Sequence, residues 1–153
     1  MNITNDSSRD WIVLKRTVRF GDTDAAGVMH FHKLLAWCHE AYEESLEHFG
    51  IKSIQVFPQS INPKDGITRC PYILLPIVHC SADYRVPLIC GDNLTIEIVP
   101  RIVNLESFEV YYTFTCEGVN IAQGKTRHLA IQSTDHQRCL LPAFINDWIN
   151  TFN

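Results

Sequence analysis

The sequence predicts an α+β fold, a sheet wrapped around one long helix. Three observations carry that expectation. One long segment, Phe31–Phe49, repeats apolar residues at spacings of three and four. One β-branched, moderately alternating segment precedes it, and a series of strand-like segments follows it. A single helix cannot cover both faces of a sheet, so a doubly wound architecture is excluded.

The elements follow in chain order. Residues 1–10 are polar and expected to fray. Residues 11–20 read as a strand, with β-branched Val13, Thr17 and Val18. In the helix, Phe31, Leu34, Leu35, Cys38, Ala41, Tyr42, Leu46 and Phe49 form the apolar stripe. Gly50 stands where a left-handed C-terminal residue is expected. Glu40, Glu43, Glu44 and Glu47 lie largely on the opposite side and read as a solvated face. Residues 51–73 carry Pro58, Pro63, Gly66 and Pro71 with little periodicity. They are expected to form a long irregular segment with one short helical turn, a length at which loops often act as lids. Residues 74–85, 94–103, 108–116 and 121–133 read as strands, with turns at 91–93 and 117–120. Residues 142–152 are expected to form a short terminal helix after Pro142. There are no internal repeats.

Bulk properties narrow the function. A chain of 153 residues is expected to be one domain spanning 1–153. Its 46% hydrophobic and 20% charged residues are ordinary for a globular protein. A net charge of −4 argues against nucleic acid as a partner. Cys38, Cys70, Cys80, Cys90, Cys116 and Cys139 form no CxxC pair and are expected to be buried free thiols. The N-terminus lacks the pattern of a signal peptide, and no apolar run approaches the roughly 20 residues of a membrane span. The cytoplasm is the expected location.

The densest chemistry lies in FGDTDAAGVMHF, residues 20–31. A strand-like run ends, two carboxylates follow, and a helical pattern begins after Gly27. A helix N-terminus offers unpaired N–H groups that polarise a carbonyl or hold an oxyanion. A carboxylate beside it can attack the same carbonyl or direct water at it. Asp24 is the first candidate for that carboxylate; capping of the turn is the competing reading. Asp22 reads as structural, accepting loop N–H groups or orienting its neighbour. Gly27 reads as a turn residue with positive φ, whose missing side chain also admits substrate. Seven histidines show no metal-ligand spacing, so no metal is expected. Gly-x-Ser-x-Gly, GxGxxG and P-loop motifs are all absent.

The Asp-x-Asp-x-x-Gly motif between a strand and a long helix resembles the signature of the hotdog-fold 4-hydroxybenzoyl-CoA-type thioesterases. Similarity continues through WCHEAYEESL and LPIVHCSADYRVPLICGDNL and covers about residues 14–135. Those stretches are most similar to the cyanobacterial branch acting on 1,4-dihydroxy-2-naphthoyl-CoA in phylloquinone synthesis. The resemblance implies an antiparallel five-stranded sheet around one long helix, and hydrolysis of an aromatic acyl-CoA. It implies Asp24 as nucleophile or general base and the backbone N–H near Phe31 as carbonyl-polarising group. His30 and His79 become candidates for substrate binding, and Glu40 a reserve carboxylate. CoA enters as part of the substrate, and no cofactor is implied. Arg85, Arg101, Lys125, Arg127 and Arg138 are the cations available for its phosphates. A homodimer or homotetramer is expected, with one subunit supplying Asp24 and its neighbour part of the ligand channel. Ile98, Tyr111, Phe114 and Leu129 are expected to form an apolar sheet face that one helix cannot cover. The alternatives are a thioesterase for other acyl chains and a non-catalytic module binding CoA esters.

Overall fold

In the computed structural model, residues 13–62 and 67–153 are described. The chain runs β1 (Val13–Thr17), α1 (Phe31–Phe49), β2 (Gln59–Asn62), β3 (Ile67–Arg69), β4 (Ile73–Leu74), β5 (Ile77–Tyr84), β6 (Asn93–Asn104), β7 (Ser107–Cys116), β8 (Val119–Leu129), β9 (Ile131–Gln132) and α2 (Ala143–Asn150). Five strands form one sheet in the order β1-β6-β7-β8-β5, every neighbour antiparallel. The two remaining pairs, β2-β3 and β4-β9, are short ribbons.

Helix α1 has the bounds that its sequence periodicity predicts, because both ends are marked chemically. His30 caps the start, its Nδ1 accepting from the His32 N–H, and Gly50 ends the helix at φ 94°. Leu34, Trp37, Cys38, Ala41, Tyr42, Ser45 and Leu46 are buried. Facing them across the sheet are Ile96 and Ile98 of β6 and Phe108, Val110, Tyr112 and Phe114 of β7, all fully or nearly fully buried. Each such apolar side chain contributes about 1.5–3 kcal/mol by leaving water. Closest approach is at Gly124 of β8: a Cβ built there would lie 2.6 Å from Cys38 Sγ and 3.5 Å from Leu34 Cδ2. Helix α2 closes one end of the core with Ile145, Trp148 and Ile149. Its Trp148 indole N–H donates to Ser45 Oγ at 3.0 Å, which explains a buried serine on the apolar face of α1.

A polar relay crosses this core. His128 is fully buried, stacked on Phe108 with ring centroids 4.7 Å apart. Its Nδ1 faces the Leu75 carbonyl at 3.4 Å, and its Nε2 is 2.9 Å from Thr126 Oγ1. Thr126 Oγ1 in turn meets the Tyr112 hydroxyl at 3.1 Å. The network assigns a neutral imidazole protonated at Nδ1, with Nε2 accepting from Thr126. Burial pulls the imidazole pKa down to about 4, opposed by the Leu75 carbonyl and reinforced by His39.

Several sequence expectations are corrected. The first strand ends at Thr17, and Phe20–Asp22 is a 3-10 turn; Trp11 lies outside the described residues, as does the stretch expected to fray. The irregular segment contains the expected helical turn, Ser53–Gln55, but also the β2-β3 ribbon. Pro76, which cannot donate to a ladder, separates β4 from β5, so the segment read as one strand serves two sheets. A similar break after Leu129 separates β8 from β9. Only Cys38 is buried among the cysteines; Cys70, Cys80 and Cys90 are exposed, and Cys116 and Cys139 are partly buried. Ile98, Tyr111, Phe114 and Leu129 do not form the expected apolar outer face. Ile98 and Phe114 are fully buried on the helix side, Leu129 is half-buried, and Tyr111 lies on the outer face. There, strand alternation and register place Glu109, Tyr111, Lys125 and Arg127 together. Glu109 accepts from Tyr111 at 2.5 Å and Arg127 at 2.6 Å, with Lys125 Nζ at 3.5 Å. The Tyr111 hydrogen bond and those cations outweigh partial desolvation and hold its carboxyl at about 2.

Two stability measurements check this account. Gly124→Ala should destabilise by about 1–3 kcal/mol through overpacking against Cys38. Adding Cys38→Ala should recover part of that loss, giving a non-zero coupling in a double-mutant cycle; strict additivity would contradict the contact. The second concerns pH. His128 has a folded pKa below its unfolded value, so the unfolded chain binds more protons between about pH 6.5 and 4. Its contribution is complete above that window and lost as pH falls through it. Urea midpoints should show the wild type losing on the order of 2 kcal/mol more than His128→Gln between pH 7.5 and 5. Equal losses would mean that the imidazole is not held neutral.

Candidate active site

The turn between β1 and α1 is built around Asp22. Its Oδ2 accepts the Arg19 N–H at 2.9 Å, and its Oδ1 meets Lys33 Nζ at 3.0 Å. Its carbonyl accepts the His30 N–H at 2.8 Å, tying the turn to the start of α1. Partial desolvation pushes the Asp22 carboxyl up, but the Arg19 N–H, the Lys33 hydrogen bond and charge, and the Arg19 charge together hold it below the usual range. Asp22 is therefore an ionised, fully engaged anchor.

Asp24 is placed differently. Its Oδ1 accepts the Ala26 N–H at 2.8 Å, closing an Asx turn, and its backbone brackets Val28 and Gly27. Among the described residues Oδ2 has no donor. The side chain is exposed and lines a cleft of about 370 Å³ with Met29, Phe31, Tyr84, Arg85 and Leu88 among the walls. Gly27 adopts φ 79°, and a Cβ there would meet nothing within 4 Å. The left-handed backbone conformation by itself favours glycine here.

The start of α1 supplies the second component. The His30 N–H goes to the Asp22 carbonyl, the His32 N–H to His30 Nδ1, and the Lys33 N–H to the His30 carbonyl. The Phe31 N–H has no acceptor among the described residues. Phe31, counted in the sequence as a core residue, is 67% exposed and lines the cleft instead. A free N–H at a helix N-terminus and a carboxylate oxygen without a donor thus share one cleft. Such a pair can polarise a carbonyl and deliver an oxygen nucleophile to its carbon.

The remaining candidates separate. His30 is the helix cap, with its Nδ1 2.6 Å from His32 Nδ1, and does not line the cleft. His79 pairs across from Arg127 on the outer face of β5, away from the cleft. Glu40 and Glu44 turn to the β1 side and pair with Arg16, Glu40 at 3.4 Å. Among the candidate phosphate-binding cations only Arg85 lines the cleft, its Nη2 3.2 Å from Gln123 Oε1. Arg101 lies over the Tyr111 ring, Lys125 and Arg127 are engaged by Glu109, and Arg138 is elsewhere on the surface. Among the described residues no group of three or more His, Cys, Asp or Glu side chains is arranged to hold a metal. Tyr84 was missed by sequence reasoning. It sat in a recognised strand, but nothing local signals that its hydroxyl reaches the Phe31 carbonyl.

Residues 18–149 match the thioesterase-like superfamily. A 1,4-dihydroxy-2-naphthoyl-CoA hydrolase of Prochlorococcus marinus (strain MIT 9303) is 49% identical over 140 residues, covering 92% of this chain and 90% of the relative. The crystal structure of Slr0204, a 1,4-dihydroxy-2-naphthoyl-CoA thioesterase from Synechocystis, superposes with a TM-score of 0.76 at 26% identity, covering 91% of this chain and 95% of the other. The BH1999 gentisyl-coenzyme A thioesterase superposes with a TM-score of 0.71 at 25% identity, covering 90% and 98%. The fold these structures share is the hotdog fold.

Proposed function

Because the chain belongs to the thioesterase-like superfamily, we propose that this thioester hydrolase acts on 1,4-dihydroxy-2-naphthoyl-CoA. The observation that carries the chemistry is that, in one cleft, an Asp24 oxygen has no donor and the Phe31 N–H no acceptor among the described residues. The thioester carbonyl oxygen accepts the Phe31 N–H, and the helix N-terminus stabilises negative charge as it develops there. Asp24 Oδ2 attacks the carbonyl carbon or takes a proton from the attacking water. The C–S bond then breaks, leaving CoA thiol and, after addition of one water, the carboxylic acid. Asp22 keeps the turn and helix in register without reacting. Arg85 supplies a cation at the cleft for the CoA phosphates. Every step uses side chains, backbone and water alone, with no cofactor. The aromatic acyl group is supported by relatives named for naphthoyl and gentisyl thioesters. No helix among the described residues is long and apolar enough to cross a membrane, and a CoA thioester substrate fits a cytoplasmic location.

The working unit is an oligomer. Strand β5 pairs only with β8, leaving the other edge of an eight-residue strand open among the described residues. Along and after it Val78, Tyr84, Val86 and Ile89 are exposed, an arrangement that invites pairing with another strand. Antiparallel pairing of two β5 strands about Cys80 and Ser81 sets the start of one against the end of the other. An apolar hollow lined by Phe57, Leu75, Pro76 and Ile131 adjoins the start of β5, and the Asp24 cleft adjoins its end. In the dimer the hollow of one subunit therefore meets the cleft of its partner and extends it for the acyl ring.

Thiol release from a panel of acyl-CoA esters, in the presence of a chelator, tests the reaction. The dihydroxynaphthoyl ester should be turned over far faster than a long fatty acyl ester. Asp24→Asn should cut kcat by at least about 100-fold while leaving the fold intact, and Asp22→Asn should do less catalytic harm. A palmitoyl preference would remove the aromatic assignment, and full activity in Asp24→Asn would remove the proposed mechanism.

Light scattering paired with activity across a dilution series tests the assembly. A dimer or larger species is expected at micromolar concentration, with specific activity falling as it dissociates. A fully active monomer would rule out the shared site.

A further inference from the structure

The residue with the free N–H is itself held by its carbonyl. The Tyr84 hydroxyl, at the end of β5, donates to the Phe31 carbonyl. Other restraints on this turn act at neighbouring positions: the Met29 N–H on the Leu88 carbonyl, the His30 N–H on the Asp22 carbonyl, and the Asp22–Lys33 ion pair. Tyr84 acts at residue 31. It also joins two walls of the cleft, since Arg85, Val86, Pro87 and Leu88 follow it directly and Phe31 stands opposite. Partial burial, with the Cys38 thiol adding to it, raises the phenol pKa, so the hydroxyl retains its proton and remains a donor.

We propose that Tyr84 is a positioning residue for thioester hydrolysis: its hydroxyl fixes the Phe31 backbone so that the free N–H meets the carbonyl oxygen in the transition state. This rests on the thioesterase reading above. Tyr84 touches no reacting atom in this role. It sets the distance and rotation of the first turn of α1 relative to the sheet edge, and oxyanion stabilisation falls steeply when a donor is misplaced. Without the hydroxyl, the Phe31 peptide loses its link to β5, while the capping and ion-pair restraints keep the helix formed. The loss should therefore appear in the transition state and not in ground-state affinity.

Tyr84→Phe retains the ring and its packing. Thermal melting establishes that the variant is folded, and steady-state kinetics with the dihydroxynaphthoyl ester should show kcat lowered about tenfold with KM changed less than about twofold. A second readout uses infrared spectra of a ¹³C=O-labelled thioester bound to Asp24→Asn, with and without Tyr84→Phe. The carbonyl stretch should be shifted down in frequency by the Phe31 N–H, and less so without the Tyr84 hydroxyl. Unchanged kcat and an unchanged stretch in an active enzyme would overturn the positioning role alone. A rise in KM with kcat intact would also overturn it, because Tyr84 would then be binding substrate directly. A wild type inert toward every ester in the panel would overturn the thioesterase reading and this role with it.

Discussion

Everything else in this molecule depends on how closely α1 lies against the sheet. The contact is tightest where Gly124 leaves room for Cys38. A helix that close fills the inner face with side chains from β6 and β7 and leaves little apolar surface uncovered there. Three polar groups trapped beneath it, Tyr112, Thr126 and His128, satisfy one another, while the buried Tyr42 hydroxyl finds no hydrogen-bond partner among the described residues. The same approach fixes where the helix begins. Its N-terminus comes to the end of β5 and opens into the cleft rather than into the core.

Two carboxylates two positions apart show how local geometry divides labour. Asp22 faces back toward Arg19 and Lys33 and is consumed by them. Asp24 spends one oxygen on an Asx turn, and the other has no donor among the described residues. A carboxylate whose two oxygens both accept from donors is stabilised and unreactive; one held by a single backbone N–H is oriented yet available. The turn thus builds rigidity and reactivity from the same side-chain type. Gly27 permits the left-handed step that returns the chain to the helix start.

The elements most legible in the sequence were those whose ends carry chemical punctuation. Helix α1, closed by Gly50, and α2, opened by Pro142, appear where periodicity and caps predict them. The Asp-x-Asp-x-x-Gly turn was legible for the same reason. Less legible were features fixed by distant partners. No alternation distinguishes β2 and β3, whose pairing supplies their order. The path of residues 73–77 depends on the reach of β9 as much as on Pro76. Tyr111 reads as an apolar strand residue, but its hydroxyl and its place beside Glu109 assign it to the polar outer face. His30 and His79 show the limit for site residues: sequence proximity to a motif does not say which way a side chain faces.

A run of exposed apolar residues, Ile77, Val78, Tyr84, Val86 and Ile89, lies along and after the β5 edge, and this changes what association would accomplish. A covered back face would stabilise the chain and leave the cleft unaltered. An edge contact through β5 acts on the strand that carries Tyr84 and leads into Arg85 and Leu88, the walls beside Phe31. Pairing that edge would order backbone hydrogen-bonding groups that are otherwise open and damp the fraying to which terminal strand residues are prone. In the proposed dimer the partner therefore contributes twice, with an apolar hollow for the acyl ring and with the rigidity of the strand that holds the oxyanion donor. The energetic logic follows from the small size of the site. A single N–H worth a few kcal/mol in the transition state delivers that value only when its position is fixed before the substrate arrives.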